Sequence, residues 1–236
     1  MDFKEFILSF KTHVAPISFT EKVRSGLTAG IAILLLGLAL KYLPQPIYPF
    51  VMLGSIAAST ALLFAAPHSP MAQPWPLIGG HLISTLAGWL CSQHISDPLV
   101  AAGCAVGLAI FLMHSLKCLH PPGASTAITL VLFSAQFHLM GWPWVVCIVL
   151  VNIVTILVLA LLIHNLIPNR HYPIRHIPQP TPQKYSQPNH IKLERADIEW
   201  ALTQMDGVID VSEEDLVEIY ELAIKHVRNP DGKVNA

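Results

Sequence analysis

The chain has 236 residues, of which 53% are hydrophobic and 12% charged, and its formal net charge is −1. Between Ser25 and Asn169 the only charged residues are Lys41, Asp97 and Lys117. A soluble domain does not leave so long a segment almost uncharged. The composition therefore excludes an ordinary soluble protein and predicts an integral membrane protein in contact with the lipid bilayer. The small net charge says little about other partners, and we expect no nucleic acid among them.

In chain order, residues 1–22 mix acidic, basic and apolar residues and predict an amphipathic segment at the membrane surface. The predicted membrane domain covers residues 23–168. Because roughly 20 helical residues cross a bilayer, its apolar stretches predict six segments: 25–43, 47–66, 77–93, 98–116, 122–139 and 143–167. The third and fifth are short or interrupted, so they are either tilted spans or re-entrant half-helices. We predict an all-α polytopic bundle of six segments, with four crossings if two segments are re-entrant.

The basic residues predict the orientation of this bundle. They lie on both sides of it, at Lys4, Lys11, Lys22, Arg24, Arg170, Arg175, Lys184 and Lys192. Because basic residues favour the cytoplasmic side, both termini are expected in the cytoplasm, with an even number of crossings. The predicted location is a bacterial inner (plasma) membrane.

Two stretches of the membrane domain are similar to each other. Ala58–Ala61 and Ala124–Ala127 both read Ala-Ser-Thr-Ala and begin 66 residues apart; each follows a Lys-x-Leu stretch with prolines and precedes an apolar run ending in Phe. Chance is the alternative, since these residues are common in membrane helices. A duplicated three-segment unit would insert its copies in opposite orientations. The pattern therefore predicts a 3+3 inverted repeat with broken helices and a site near the midplane.

Residues 114–127 place a polar, helix-breaking sequence between two apolar runs. Pro121 and Pro122 lack an amide hydrogen, and irregular backbone persists at membrane depth only where protein or a water-filled cavity surrounds it. Gly123 and the small residues behind it then begin a predicted helix. A helix N-terminus at this depth favours binding of a small anion.

The predicted binding residues include hydroxyl side chains from both similar stretches: Ser59, Thr60, Ser125 and Thr126. Hydroxyl groups donate hydrogen bonds without adding charge, although close helix packing also selects such residues. His120 can donate to an anion, carry a proton or cap the broken helix. Lys117 either draws anions into a vestibule or is an ordinary interfacial lysine. Gln73 and His81, in a second Pro-rich break, complete the candidate substrate site.

No catalytic or metal-binding pattern is visible in the sequence. It contains neither a His-Glu-x-x-His motif nor a nucleotide-binding P-loop, and its four cysteines have no metal-site spacing. We expect no enzyme activity, no bound metal and no cofactor.

The C-terminal region has a different composition. Residues 169–190 predict a Pro-rich linker, and residues 191–236 predict two cytoplasmic amphipathic helices. So short a pair cannot bury much of a core alone, so it is expected to dock on the membrane domain or on another subunit. A homo-oligomer is the expected assembly.

Several stretches together resemble the HPP family of integral membrane proteins over nearly the whole chain. They are Leu119-His-Pro-Pro-Gly-Ala-Ser-Thr-Ala127, Ser69-Pro-Met-Ala-Gln-Pro74 and Gly80-His81. The resemblance implies four membrane spans, and nitrite as substrate, because chloroplast and cyanobacterial members are associated with nitrite transport. The family usually reads His-Pro-Pro-Ala-Gly-Ala-Thr-Ala, whereas Gly123-Ala124-Ser125 stands in the middle here.

The function predicted from these features is a transporter or channel for a small inorganic anion, with nitrite as the choice that the resemblance implies. The runner-up is a membrane scaffold or regulator that does not transport and recruits a partner through its C-terminal helices. An intramembrane enzyme ranks third.

Overall fold

The structure is a computed structural model that describes residues 18–42, 52–167 and 171–173. Within these ranges the chain forms seven α-helices and no β-strand. The predicted N-terminal amphipathic segment, apart from its last few residues, lies outside the described residues. So do the C-terminal helix pair and nearly all of the predicted linker. The all-α prediction is confirmed for the part of the chain that the structure describes.

Each predicted apolar segment overlaps at least one helix. The helices are α1 (Phe19–Lys41), α2 (Gly54–Ala65), α3 (Pro74–His94), α4 (Pro98–Ser115), α5 (Pro121–Leu132), α6 (Ser134–Met140) and α7 (Trp142–Leu166), with a 3₁₀ turn at Pro70–Ala72 before α3. Four of them, α3, α4, α5 and α7, carry proline in their first two positions. Proline suits these positions because a helix has no internal partner for its first amide hydrogens. The first helix begins at Phe19, ahead of the predicted segment, and Glu21 in its first turn forms an ion pair with Arg24.

Three helices, α1, α4 and α7, are long and apolar enough to cross a membrane. The pair α5 and α6 bends by 83° and would make a fourth candidate as a broken span or a re-entrant loop. The 12-residue helix α2 measures only about 18 Å, against a hydrocarbon core of about 30 Å. The three long helices also present large apolar side chains outward, including Leu34, Phe111 and Leu162.

Two apolar cores hold the helices together. One contains buried residues of α1, α2 and α7, such as Leu36, Ile56 and Ile153, with contributions from neighbouring elements. The other contains small buried residues of α3, α4 and α5, such as Ala87 and Ala105. Each core thus combines two helices of 18 residues or more with one helix of 12 residues. The two 12-residue helices contact each other.

The relative directions of the helices follow from residue pairs. Ser55 bonds to Thr126 while Ser59 bonds to His120, so α2 and α5 run antiparallel. In contrast α3 and α5 run parallel, since Gly80 lies against His120 and Gly88, about two turns later, lies against Ala127.

The approach of α3 to α5 is unusually close. A Cβ added at Gly88 would stand 2.6 Å from the carbonyl oxygen of Ala127, and one added at Gly123 would stand 2.8 Å from the carbonyl oxygen of Gly80. Glycine is therefore required on both sides of this contact. The close approach allows polar side chains of α3 and α5 to contact each other, such as His81 and Thr126.

Candidate functional site

A group of buried polar side chains lies where α2, α3 and α5 meet; we call it the central cluster. Its members are Ser55, Ser59, His81, His120 and Thr126. Four of the five side chains are fully shielded from solvent, and Ser55 is 2% exposed. Ser and Thr are neutral and His can be neutral, so the cluster is polar but carries no permanent charge.

Ser59 occupies the centre of the cluster. Its Oγ lies 2.8 Å from Nε2 of His81 and 2.8 Å from Nε2 of His120. The two imidazole rings lie 5.1 Å apart between centroids. One hydroxyl group therefore bridges two histidines that are 39 positions apart in the sequence (81 and 120). Such a bridge connects the rings through a group that both donates and accepts hydrogen bonds.

The outer nitrogen of each imidazole also has a partner. Nδ1 of His81 lies 2.8 Å from Oγ1 of Thr126, and Oγ1 of Thr126 lies 2.8 Å from Oγ of Ser55. Nδ1 of His120 lies 2.8 Å from the carbonyl oxygen of Met71. The contacts form one continuous chain from Ser55 to the backbone of Met71.

The loop that presents Met71 is tightly held. Ser69 Oγ accepts from the amide of Met71, and Gln73 donates from Nε2 to the carbonyl oxygens of Pro67 and Ser69. Tyr172, beyond α7, donates its hydroxyl to the carbonyl oxygen of Ala72. Burial raises the pKa of the Tyr172 hydroxyl, so this donor stays protonated. The loop thus fixes a carbonyl oxygen opposite His120.

This carbonyl oxygen determines the hydrogen positions along the cluster when both histidines are neutral. A carbonyl only accepts, so Nδ1 of His120 carries its hydrogen and Nε2 accepts from Ser59. The hydroxyl of Ser59 then accepts from Nε2–H of His81, whose Nδ1 accepts from Thr126. The structure has Thr126 Oγ1 donating to Ser55 Oγ, so in the neutral cluster these two hydroxyl groups turn and Ser55 donates to Thr126. All the side-chain contacts of the two imidazoles are satisfied in this single direction. The Ser59 hydrogen is then used for His120 at 2.8 Å and not for the Ser55 carbonyl oxygen, which lies farther away at 3.2 Å.

The start of α5 offers a ligand fewer backbone donors than the sequence predicted. Pro121 and Pro122 have no amide hydrogen, and the amide of Gly123 donates to the carbonyl oxygen of His120. The first three helical positions of α5 therefore supply no free N–H group. The donors at this level are therefore side chains.

The predicted site residues separate into two groups in the structure. Ser59, His81, His120 and Thr126 come together in the cluster, although no spacing in the sequence relates them. Thr60 is buried but donates to the carbonyl oxygen of Ile56 in its own helix.

Other candidates lie away from the cluster. Ser125 and Lys117 are exposed, and Lys117 adopts a positive φ of 53° in the turn before α5. Gln73 is not a member of the cluster. It donates to the carbonyl oxygen of Pro67 and so supports the loop whose Met71 carbonyl oxygen contacts His120.

Three groups at the site were not predicted from the sequence. Ser55 begins the hydrogen-bonded chain, and the Met71 carbonyl ends it. Ser84, one turn beyond His81 on α3, is fully buried, and its Oγ has no hydrogen-bond partner among the described residues. The sequence did contain a signal for Ser84, because it lies one turn after the candidate His81 on the same predicted helix. No sequence signal identifies a backbone carbonyl.

The described residues contain no group of three or more His, Cys, Asp or Glu side chains that could hold a metal ion. The chemistry that this arrangement supports is hydrogen bonding and proton movement between neutral groups. An all-helical bundle with apolar outer helices and a neutral polar cluster enclosed within it is the architecture of an integral membrane protein.

Comparison with known proteins identifies the family. The family described as "HPP, transmembrane region" matches residues 14–173, and the chain belongs to it. The resemblance predicted from the His120-Pro121-Pro122 motif is thereby confirmed. In this structure His120 is the residue that ends the turn before α5, and the two prolines begin that helix.

Two similar proteins are transmembrane proteins of Dictyostelium discoideum. One is 37% identical over 127 residues, which cover 52% of this chain and 40% of the relative. The other is 34% identical over 128 residues, which cover 52% of this chain and 45% of the relative. The matched region thus spans less than half the length of either relative. No solved structure matches the chain.

Proposed function

We propose that the protein transports a small inorganic anion, with nitrite as the substrate, through a site at the central cluster between α2 and α5. The observation that carries the proposal is an enclosed set of neutral donors where two short antiparallel helices overlap near their N-terminal ends. Each N-terminus carries roughly half a positive charge from the helix dipole. Together they favour a monovalent anion without a buried Lys or Arg, which would bind it too firmly for release.

The distribution of charge supports an anion over a cation. Among the described residues the only carboxylates are Glu21 and Asp97. Glu21 pairs with Arg24, and Asp97 caps α4 by accepting from the amides of Leu99 and Val100. No carboxylate of the described residues therefore belongs to the cluster.

Ser84 supports the presence of a ligand beside the cluster. An ideal Cβ on Gly123 would lie 3.1 Å from its Oγ, so the hydroxyl faces the start of α5. A buried hydroxyl without a partner costs free energy, about 1–3 kcal/mol. In our proposal the bound anion accepts a hydrogen bond from Ser84 and compensates this cost.

A 3+3 inverted repeat is part of the proposal. In this repeat α1, α2 and α3 correspond to α4, α5 and α7. Under this correspondence, helices that contact each other in one unit or between the units have counterparts that also contact each other. The contacts of α1 with α2 and α7 correspond to those of α4 with α5 and α3, and α2–α7 corresponds to α3–α5. The short helices α2 and α5 both have 12 residues and run antiparallel. This correspondence favours two related units with opposite orientation, with α6 as an addition.

The remaining parts of the proposal concern location and partners. We place both ends of the membrane domain in the cytoplasm, because basic residues precede α1 and follow α7. The bacterial inner membrane stays a prediction from sequence. A second copy of the chain is the proposed protein partner.

The proposal is tested by nitrite uptake into liposomes that contain the purified full-length chain. Protein-free liposomes give the background, because nitrite in its acid form crosses lipid unaided. The decisive variant is Ser84→Ala, which removes an unpaired hydroxyl and so leaves stability unchanged or higher. We expect nitrite uptake to fall about tenfold, the effect of one lost hydrogen bond to a charged ligand.

The matched control is Ser115→Ala. Ser115 is exposed on α4 and donates only to the carbonyl oxygen of Phe111 in its own helix, so uptake should equal that of the unaltered protein. Uptake no faster than the background for the unaltered protein would contradict transport of nitrite. That result in a well-folded preparation would favour the scaffold function.

A further inference from the structure

The central cluster contains two imidazoles connected by hydrogen bonds through one hydroxyl group, a feature that anion binding alone does not require. Hydroxyl groups would suffice to hold a small anion. The bridge from Nε2 of His81 through Ser59 Oγ to Nε2 of His120 has two contacts of 2.8 Å each. These distances are suited to proton transfer as well as to hydrogen bonding.

An extra proton fits the cluster without loss of any hydrogen bond. When Nδ1 of His81 gains a proton, it donates to Thr126 Oγ1, and the Thr126 hydroxyl turns to donate to Ser55 Oγ. Nε2–H of His81 still donates to Ser59, and the Ser59 hydroxyl still donates to Nε2 of His120. The neutral and the protonated clusters therefore differ only in the direction of two hydroxyl groups.

The same bridge passes the proton from one ring to the other. The Nε2 proton of His81 moves to Ser59 Oγ while the Ser59 hydroxyl proton moves to Nε2 of His120. Afterwards His81 is neutral with its hydrogen on Nδ1, and the new Ser59 hydroxyl donates to its Nε2. His120 then carries the charge and donates from both nitrogens, to Ser59 and to the Met71 carbonyl oxygen. Atoms and charge balance, and every contact persists.

One proton, and not two, is the capacity of the pair. Two imidazolium rings with centroids 5.1 Å apart would repel each other strongly in a poorly solvated interior. Among the described residues the neighbouring elements supply no carboxylate to offset this: α4 presents Met113, Cys118 is a buried free thiol, and Tyr172 donates its hydroxyl to the carbonyl oxygen of Ala72.

The ionisable groups on the other packed helices do not contact the pair. His164 of α7 bonds to the carbonyl oxygen of Leu63 instead. On α4, Cys104 and His114 are exposed. The only described charge-carrying candidates at the cluster are therefore the two histidines themselves.

A neutral interior makes an unaccompanied anion costly, because an ion that leaves water loses its hydration. A proton on the histidine pair would supply the missing counter-charge and leave again with the anion. We propose that His81, Ser59 and His120 form a proton relay that loads one proton with each anion, so that transport is an electroneutral proton–anion symport. This inference rests on the proposed function.

The test measures nitrite and proton movement together in liposomes that contain the full chain, with the membrane potential clamped at zero. We expect an inward proton gradient to drive nitrite uptake, and the outside medium to lose one proton per nitrite taken up beyond the protein-free background. A membrane potential applied without a pH gradient should change the uptake less than twofold.

Variants then test the residues. Ser59→Ala removes the bridge and His120→Gln removes one proton site, and each should lower gradient-driven net uptake at least tenfold. Exchange of labelled for unlabelled nitrite at equal pH on both sides, which needs no net proton movement, should fall much less. The matched controls are Thr129→Ala and His114→Gln. Thr129 donates only to the Ser125 carbonyl oxygen, and His114 is exposed, so both should leave net uptake and exchange unchanged.

The outcomes separate the two proposals. Uptake that follows the membrane potential and ignores the pH gradient means that the anion crosses alone, which overturns the relay and leaves anion transport in place. Folded Ser59→Ala protein with an unchanged proton-to-nitrite ratio also overturns the relay. Uptake equal to the protein-free background contradicts the proposed function itself. The measurement on the unaltered protein decides the question even if every variant fails to fold.

Discussion

At the scale of single residues, the site depends on the ability of one serine to satisfy two histidines. Ser59 Oγ has two acceptor positions and one hydrogen, and it uses them for contacts with His81 and His120. The similar residue of the second Ala-Ser-Thr-Ala stretch, Ser125, is exposed and takes no part in the cluster.

This difference predicts unequal effects of two identical substitutions. Ser59→Ala leaves the Nε2 atoms of both histidines without a partner in a buried site, so we expect a loss of about 1–3 kcal/mol in the free energy of unfolding. Ser125→Ala removes an exposed hydroxyl and should change it by less than about 0.5 kcal/mol. Thermal unfolding of the purified variants in one detergent measures both. Equal destabilisation would mean that the Ser59 bridge contributes nothing.

At the scale of elements, the contact between α3 and α5 places the two histidines side by side. Gly80 makes this possible, because a Cβ at this position would lie 2.5 Å from the Cβ of His120. Two carbon atoms cannot approach so closely, and the obstacle is the fixed base of the side chain. The glycine before His81 is therefore a packing requirement of the site.

We expect Gly80→Ala to push α5 away from α3 and to destabilise the protein by about 1–3 kcal/mol. Gly103→Ala is the matched control on α4, since nothing lies within 4 Å of an added Cβ there. Alanine favours a helix over glycine by up to about 1 kcal/mol, so this control should unfold at the same or a higher temperature. A Gly80→Ala protein as stable as the control would show that α5 can shift without cost.

At the scale of the whole membrane domain, each of the two cores contains one of the short helices, and these two helices overlap where the cores meet. The short helices do not fill the thickness of a membrane, so irregular backbone must complete their path. The segment 116–120 does so before α5, and protein surrounds part of it, since Cys118 and His120 are fully buried. Enclosure by protein is the condition under which such backbone is stable in a membrane.

The proposed orientation predicts which positions a membrane-impermeant thiol reagent reaches in intact cells. In a background without the four native cysteines, Ser96→Cys in the turn between α3 and α4 should be labelled. Lys22→Cys before the apolar part of α1 and His171→Cys after α7 should be labelled only in opened cells. Labelling of His171→Cys but not Lys22→Cys in intact cells would require an odd number of crossings and would remove the inverted repeat.

Much of the fold could be predicted from the sequence because the bilayer restricts the possibilities. Backbone groups in lipid must bond within their own segment, so apolar stretches of sufficient length predict helices. The bounds of α4 and α7 agree with the predicted segments within a residue or two. The predicted segment 122–139, expected to be a tilted span or a re-entrant half-helix, contains the 83° bend between α5 and α6. No residue pattern indicated the position of the bend, since Phe133 and Ser134 are ordinary helix residues.

The sequence by itself determined that this is an all-helical membrane protein of the HPP family, and it identified His81, His120, Ser59 and Thr126 as candidates. It could not determine that these four form one hydrogen-bonded chain, nor that Ser125 stays outside it. A helix has 3.6 residues per turn, so neighbours such as Ser125 and Thr126 point in different directions. Only the packing of α2, α3 and α5 decides which direction leads inward. That packing depends on close contacts between residues such as Gly80 and His120, which are distant in the chain.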